Sequence, residues 1–408
     1  MKSEQIKVAM LVGEFFSNSL PFQSGKGGYG MIARHYLTEY IPNQDIQLDT
    51  IVGFNNKNEL LVHVVDGKKN VLFLPSIDQN PSLLSRIVGK IKRTISKTSE
   101  QAEVEKNMSK VIDNYDVFIS IEFQDIAYEV MLRASRQQKL VIWVQDPRPQ
   151  SDWDEIDSAS MVNHRTGYRP NDKFRRLMKS LFESNRLVGI SQGKFLMEKA
   201  RDLYDLPDSF EIDYVPNPIE IPEIDDSELH DKENTIIAIG RLDSVKRPWV
   251  IGEIAKRLPE YKFVFAGQYH EKDMESVMQP YFELENVSHA GHLEGDEKDD
   301  LFRKSKLLVN TSIHEAIPVT FLESLAYGNP IVSCRNPDDL VSTFGFYTGV
   351  TDGDGFSEVD NFVIGIRELI ENDDRRIAIA RKGIEYVNTY HGIDSFINDV
   401  RQVLIDSA

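Results

Sequence analysis

The chain has 408 residues, 41% of them hydrophobic, with 65 acidic against 47 basic side chains and a formal net charge of −18. That length exceeds what one hydrophobic core usually serves, so two domains are expected, and the acidity excludes a general nucleic-acid binder because a polyanion would be repelled. Cys334 is the only cysteine, which excludes an internal disulfide and a cysteine-based metal cage, and no apolar run reaches the roughly 18 residues a spanning helix needs.

The start, MKSEQIKVAMLVGEFF, reads as a core strand rather than an export signal, so the protein is expected in the cytoplasm. Ile6 to Gly13 has the continuous apolar character of a buried parallel strand. A loop with Gly27, Gly28 and Gly30 follows, then a helix from about Met31 to Tyr40; glycines there let the backbone approach a ligand closely. Strand-like runs recur at Ile46–Gly53, Asn70–Leu74, Asp116–Ile121 and Leu140–Val144, the later ones separated by helical segments. That alternation predicts a doubly wound parallel sheet, whose ligands collect at the carboxyl ends of the strands.

Ser82 to Lys97 differs from its surroundings. Leu83, Leu84, Ile87, Val88, Ile91 and Ile95 fall on one helical face, beside a stripe of Arg86, Lys90, Arg93 and Lys97 joined by Lys92. A basic amphipathic helix in an acidic chain reads either as a contact with an anionic membrane surface or as a helix packed on the sheet with solvated lysines. Further on, VIWVQDPRP places Gln145 and Asp146 at the end of a predicted strand. Ser191 lacks the flanking glycines of a hydrolase nucleophile and is expected to cap the helix after it. The acidic, proline-bearing piece from Pro218 to Asn234 reads as an interdomain linker.

The second half opens on the strand Thr235–Gly240, followed by RLDSVKRPW. Arg241 and Lys246 reach a diphosphate if that strand end faces the cleft. Strands Lys262–Ala266 and Val287–Ala290 come next, then the apolar run Leu307–Val309 and NTSIHEAIPVTFLESLAY, a strand, loop and helix. Ile317 leads into Pro318, which occupies the first helical position, where its missing N–H costs nothing. The amides of Val319 and Thr320 stay free, and with the positive end of the helix dipole they form an anion site suited to phosphate. Glu315 precedes that site and Glu323 lies one turn past it on the same face, two hydroxyl acceptors that suggest a sugar on one side and a ribose on the other. Helices at Val359–Ile370, Arg375–Tyr390 and Ile393–Ile405 close the chain. Asp352-Gly353-Asp354 sits among glycines and reads as a turn rather than a metal site, and His289, His292 and His314 lack ligand spacing for zinc.

Glu315, seven residues, then Glu323 resembles the signature of the retaining family 4 glycosyltransferases, which have the GT-B fold, and Gly240-Arg241 with Lys246 resembles that family's Gly-Arg-x-x-x-x-Lys motif. The glycine loop around Gly28 and the strand ending in Pro216-Asn217 are similar to the family in order. The resemblance implies two Rossmann-like domains facing a cleft: an acceptor-side domain over 1–218, with a C-terminal helix 392–408 returning to it, and a nucleotide-sugar domain over 219–391. It implies that Glu315 holds donor-sugar hydroxyls, Glu323 the ribose, and Gly291, His292 and Leu293 the nucleotide base. The implied activity is hexosyl-type transfer from a nucleotide-sugar to a glycan, lipid-linked or protein-linked acceptor, with retention and without metal or cofactor, the diphosphate being balanced by Arg241, Lys246 and the helix amides. Two departures stand out: Ala316 where the family has glycine after the first glutamate, and Gln145 where a histidine often stands beside the donor sugar. Glutamine can hydrogen-bond a hydroxyl but cannot act as a base near neutral pH, which leaves open whether Gln145 or Asp146 takes the role. A nucleotide-sugar epimerase on the same fold and a non-catalytic sugar-nucleotide scaffold are the competing readings.

Overall fold

The computed structural model describes residues 5–12, 36–55, 59–65, 69–75, 102–161, 171–350 and 353–408. The glycine loop with Gly28 and the basic stripe from Arg86 to Lys97 lie outside the described residues, as does Asp352.

The first half builds an eight-stranded sheet from β1 (Ile6–Leu11), β2 (Ile46–Asn55), β3 (Leu61–Val65), β4 (Lys69–Pro75), β5 (Val117–Ile121), β6 (Lys139–Val144), β7 (Leu187–Ser191) and β8 (Ile212–Tyr214). Its order is β3-β4-β2-β1-β5-β6-β7-β8, parallel except for the antiparallel pair β3 and β4. The edge strand β3 has no counterpart in the sequence reading. Helices here include α1 (102–112), α2 (Asp125–Met131), α3 (Gln150–Asp157), α4 (Asp172–Glu183) and α5 (Lys194–Tyr204).

The second half forms a six-stranded, wholly parallel sheet from β9 (Glu233–Ile239), β10 (Lys262–Ala266), β11 (Val287–Gly291), β12 (Ser305–Asn310), β13 (Ile331–Ser333) and β14 (Gly345–Tyr347), ordered β11-β10-β9-β12-β13-β14. The chain winds one way from β9 and the other way from β12, so the loops after those two strands flank the point where ligands bind in such sheets. Around it run α6 (Asp226–His230), α7 (Pro248–Arg257), α8 (Met274–Phe282), α9 (Asp296–Lys304), α10 (Val319–Ala326), α11 (Leu340–Phe344), α12 (Val359–Ile370) and α13 (Asp373–Tyr390).

The last helix, α14 (Ile393–Ser407), packs on the first sheet: Phe396, Ile397, Val400 and Leu404 join Val8, Met10 and Trp143 in one buried cluster, with the Trp143 and Phe396 rings 5.5 Å apart. Each such side chain contributes about 1.5–3 kcal/mol on burial, enough to fix the helix there. The stretch read as an interdomain linker, 218–234, is attached to the second domain. It contains α6, whose Asp225–Glu228 capping box is joined by ion pairs from Arg303 to Glu228 and from Arg381 to Asp226. The two chain crossings meet at His391, whose backbone oxygen accepts from Ile219 N–H at 3.0 Å and whose Nδ1 lies 2.7 Å from the Asn217 oxygen.

Contacts also cross between the domains beside the cleft. Trp153, Ile156 and Ala159, on and after α3, pack with Val245 and Ile313 of the second domain. Asp338 accepts from the Lys194 and Phe195 amides at 2.7 and 2.8 Å, capping α5 from the other domain. Ser191 was expected to cap that helix; its hydroxyl instead bonds Gly193, because the first turn lies within reach of the Asp338 carboxylate. Asp354 likewise accepts from Met161 N–H at 2.8 Å, so this turn ties the two domains together. No described helix is long and apolar enough to cross a membrane.

Candidate functional site

The floor of the site is backbone. At the carboxyl end of β10, a Cβ on Gly267 would stand 1.7 Å from the Gly240 oxygen, so only glycine fits. Gly267 N–H donates to the Gly291 oxygen at 2.6 Å, and Gly291 has φ +71 with open space where a side chain would be. Three strand ends thus meet without side chains between them. His292 and Leu293 continue from Gly291; the first is exposed, 2.8 Å from Glu294, and the second is half-buried.

Arg241 and Lys246 rise from the loop after β9. Arg241 is half exposed and only loosely paired, 3.4 Å from Asp243. Lys246 donates to Glu315 Oε1 at 2.5 Å, and Asn310 and Ser312 donate to the same oxygen at 2.8 and 2.6 Å. Burial alone would push the Glu315 carboxyl up, but the Lys246 ammonium and the three hydrogen bonds outweigh it and hold the pKa below the ordinary glutamate value. Glu315 is therefore a fixed carboxylate. Its loop is held from beneath by Arg247, in a left-handed backbone conformation with φ 47, whose fully buried guanidinium donates to the carbonyls of Thr311, Ser312 and Gly353.

Beyond Glu315 comes Ile317, buried and packed against Gly193 of the first domain. Pro318 is extended, with ψ 131, and α10 begins at Val319, one residue later than the sequence suggests. Extended backbone before the first turn leaves the amides of Val319 and Thr320 without a hydrogen-bond partner among the described residues. One turn on, Glu323 Oε1 accepts from Lys298 Nζ at 2.6 Å, whereas Oε2 is buried and has no partner among the described residues. Burial raises this carboxyl above its ordinary value, Asp299 and Glu220 add to the effect, and Lys298 opposes it. A buried carboxylate oxygen without a donor costs about 1–3 kcal/mol, a debt that a ligand hydroxyl removes.

The two first-domain candidates have different fates. Gln145 is 3% exposed; its amide exchanges two 3.0 Å hydrogen bonds with Asn217, which also donates to Gln192. Both ends of the Gln145 side chain are thus engaged by Asn217. Asp146 turns toward the second domain: Arg148 donates to Oδ2, and His314 Nε2 lies 2.8 Å from Oδ1. Burial would raise the Asp146 carboxyl, but His314 and Arg148 hold it well below the usual carboxylate range. His314 also stands 3.6 Å from Asp152, which Lys199 holds at 2.8 Å. The residue next to Glu315 is thus one of the bridges between the domains.

Sequence reasoning missed the support. Glu122, at the end of β5 with φ 53, accepts from the amides of Gln145 and Asp146 at 2.7 and 2.8 Å and from the Tyr204 hydroxyl at 2.8 Å, fixing the strand end that carries both. The turn of β5 into polar sequence was the one local signal. Arg247 and Asp338 offered none, since their partners lie 64 and 144 residues away. No group of three or more histidine, cysteine, aspartate or glutamate side chains among the described residues is placed to hold a metal ion.

Residues 220–386 match the family model for glycosyl transferases group 1. Solved structures match nearly the whole chain: sucrose-phosphate synthase from Thermosynechococcus elongatus, with TM-score 0.67 and 11% identity over 98% of this chain and 99% of that one; Anabaena HepE in complex with UDP and glucose, 0.64 and 13% over 98% and 99%; and the pneumococcal O-GlcNAc transferase GtfA in complex with UDP and GlcNAc, 0.65 and 12% over 99% of each. No curated protein matches. The fold is GT-B, two Rossmann-like domains facing a cleft, and the match to the group 1 model falls on its second half.

Proposed function

We propose that this GT-B chain transfers a hexosyl group from a UDP-sugar to an acceptor held by the first domain, with retention of anomeric configuration and without a metal ion. The observation that carries the reading is one convergence. At the point where the second sheet reverses its winding, the segments after β9 and β12 carry two cations, a fixed carboxylate and, with no partner among the described residues, two helix amides and a buried carboxylate oxygen. Each matches one part of a nucleotide-sugar.

The diphosphate seats on the amides of Val319 and Thr320, at the positive end of α10. Arg241 supplies a planar fork and Lys246 a point charge, and together with the helix end they balance the charge that grows on the leaving diphosphate as the glycosidic bond breaks. Glu323 Oε2 takes a ribose hydroxyl. Glu315, ionised and locked by three donors, accepts from the sugar ring and orients it for attack. Gly291, His292 and Leu293 border the base. Uridine is suggested by HepE and GtfA, both solved with UDP, and retention by the Glu315-x7-Glu323 resemblance. Asp146, held by His314 and Arg148, lies on the acceptor side. The acceptor is a glycan, lipid-linked or protein-linked, and the basic stripe Arg86, Lys90, Lys92, Arg93 and Lys97 would bring a cytoplasmic protein to an anionic membrane face where a lipid-linked acceptor is presented.

Incubation with UDP-glucose and UDP-GlcNAc in excess EDTA, following UDP release and the anomer of the product, tests the reading. UDP release that survives chelation and yields a retained anomer is expected. Formation of an epimerised donor without UDP release, or an absolute need for a divalent ion, overturns it.

A further inference from the structure

We infer that Lys298 is a positioning residue for nucleotide binding: its ammonium holds the Glu323 carboxylate by Oε1 so that the free Oε2 accepts a ribose hydroxyl. This rests on the donor-site reading above and assigns a residue that neither motif contains.

Helix α9 opens Asp296-Glu297-Lys298-Asp299-Asp300, one lysine among four acids. Acids in a first turn are favoured by the helix dipole and a lysine there is not, so Lys298 stands against the local preference. Its direction gives the reason. The four acids are exposed, whereas Lys298 is half-buried, with Nζ 5.9 Å from the ring centroid of Phe302, the fully buried residue one turn later on the same face. That face turns Nζ onto Glu323 Oε1 at 2.6 Å.

The pair is asymmetric. A single lysine contact occupies one oxygen and leaves the other buried without a donor among the described residues. A pair that existed only for stability would be expected to satisfy both oxygens. Among the described residues, the other charged or titratable groups that act on Glu323 are Asp299 on α9, Glu220 on the segment entering the domain, Tyr36 of the first domain and Tyr327 one turn along. None is a cation. Burial, Asp299 and Glu220 all favour the protonated acid, and Lys298 alone opposes them. A protonated Glu323 would turn one oxygen from acceptor to donor and lose its hold on the ribose. Removing Lys298 should therefore move the loss of nucleotide affinity, which occurs on acidification, to higher pH.

Calorimetric titration with UDP and with 2′,3′-dideoxyuridine diphosphate between pH 5.5 and 8.5 reads this out in the wild type, Lys298→Met and Lys298→Arg. The Met variant is expected to bind UDP about tenfold more weakly near neutral pH, as for one lost charge-assisted hydrogen bond. Its loss should deepen as pH falls and shrink toward pH 8.5, and its preference for UDP over the dideoxy analogue should shrink in step. Lys298→Arg should restore both. A Met variant that keeps the wild-type preference at every pH overturns the assignment, and so does an Arg variant as impaired as Met, which would mark a packing role. A wild-type protein that does not bind UDP at all overturns the donor-site reading beneath it instead.

Discussion

Replacing Lys246 by alanine is expected to do more than weaken diphosphate binding, because the structure gives this lysine a second partner. Glu315 is 7% exposed and Lys246 26%, and the ammonium is the only charged donor on Oε1 among the described residues. Breaking a buried ion pair from one side costs about 3–5 kcal/mol. Asn310 and Ser312 continue to donate and the cleft admits water, so about 2–3 kcal/mol is the expected loss of stability at neutral pH. Arg241, half exposed and 3.4 Å from its acid, should cost about 0–1 kcal/mol. The pH dependence has a definite sign. In the wild type the Glu315 pKa lies below its ordinary value, so its contribution is present above the unfolded pKa and lost as pH falls through the folded one. In Lys246→Ala, burial dominates and the folded pKa rises; the penalty is then largest near neutral pH and relieved on acidification. Urea unfolding at pH 7.5 and 5.0 should show the gap between wild type and variant narrowing in acid, and Lys246→Ala with Glu315→Ala together should cost less than the sum. A loss below about 1 kcal/mol at both pH values, or strict additivity, refutes this account of the pair.

The two carboxylates should separate functionally. Glu323→Ala is expected to weaken UDP binding by about 1.5–3 kcal/mol, whereas Glu315→Ala leaves UDP affinity nearly intact and reduces transfer; calorimetry giving the reverse exchanges their roles. Asp338→Ala removes the carboxylate that caps the first turn of α5 while keeping the left-handed backbone at φ 47, and should cost about 1–2 kcal/mol by urea unfolding. Asp338→Gly should cost less, since it relieves about 1 kcal/mol of backbone strain, and equal losses would contradict the strain argument. At the domain crossings, burial lowers the His391 pKa from 6.5 to about 4, so the unfolded chain protonates first and stability is lost as pH falls between those values, by up to about 3 kcal/mol. A His391→Gln variant that unfolds with the same pH profile as the wild type would show that another group is responsible.

What the sequence made legible was local. Buried parallel strands are continuous apolar runs, so β1, β5, β10 and β12 were found within a residue or two, and Glu315, Pro318 and Glu323 lie within one loop and one helical turn. What escaped depends on distant partners. The linker reading followed composition, but α6 is anchored by Arg303 and Arg381 from far along the chain. Strand β3 carries Val62 and Val64 exposed, so it lacks the uninterrupted burial that marks the others. Gln145 ends its strand as its sequence indicates, but its hydrogen-bond partner, Asn217, sits 72 residues away and leaves no local signal. His314, set aside as a zinc ligand, has the carboxylates of Asp146 and Asp152 from the other domain as neighbours, which no local pattern indicates.

A structure of the protein with UDP tests the central claim most directly. The account predicts phosphate oxygens within hydrogen-bond distance of the Val319 and Thr320 amides and of Arg241 or Lys246, with a ribose hydroxyl on Glu323 Oε2 and no metal ion at the diphosphate. A diphosphate seated away from the start of α10, or a Glu323 Oε2 still without a donor, would contradict it.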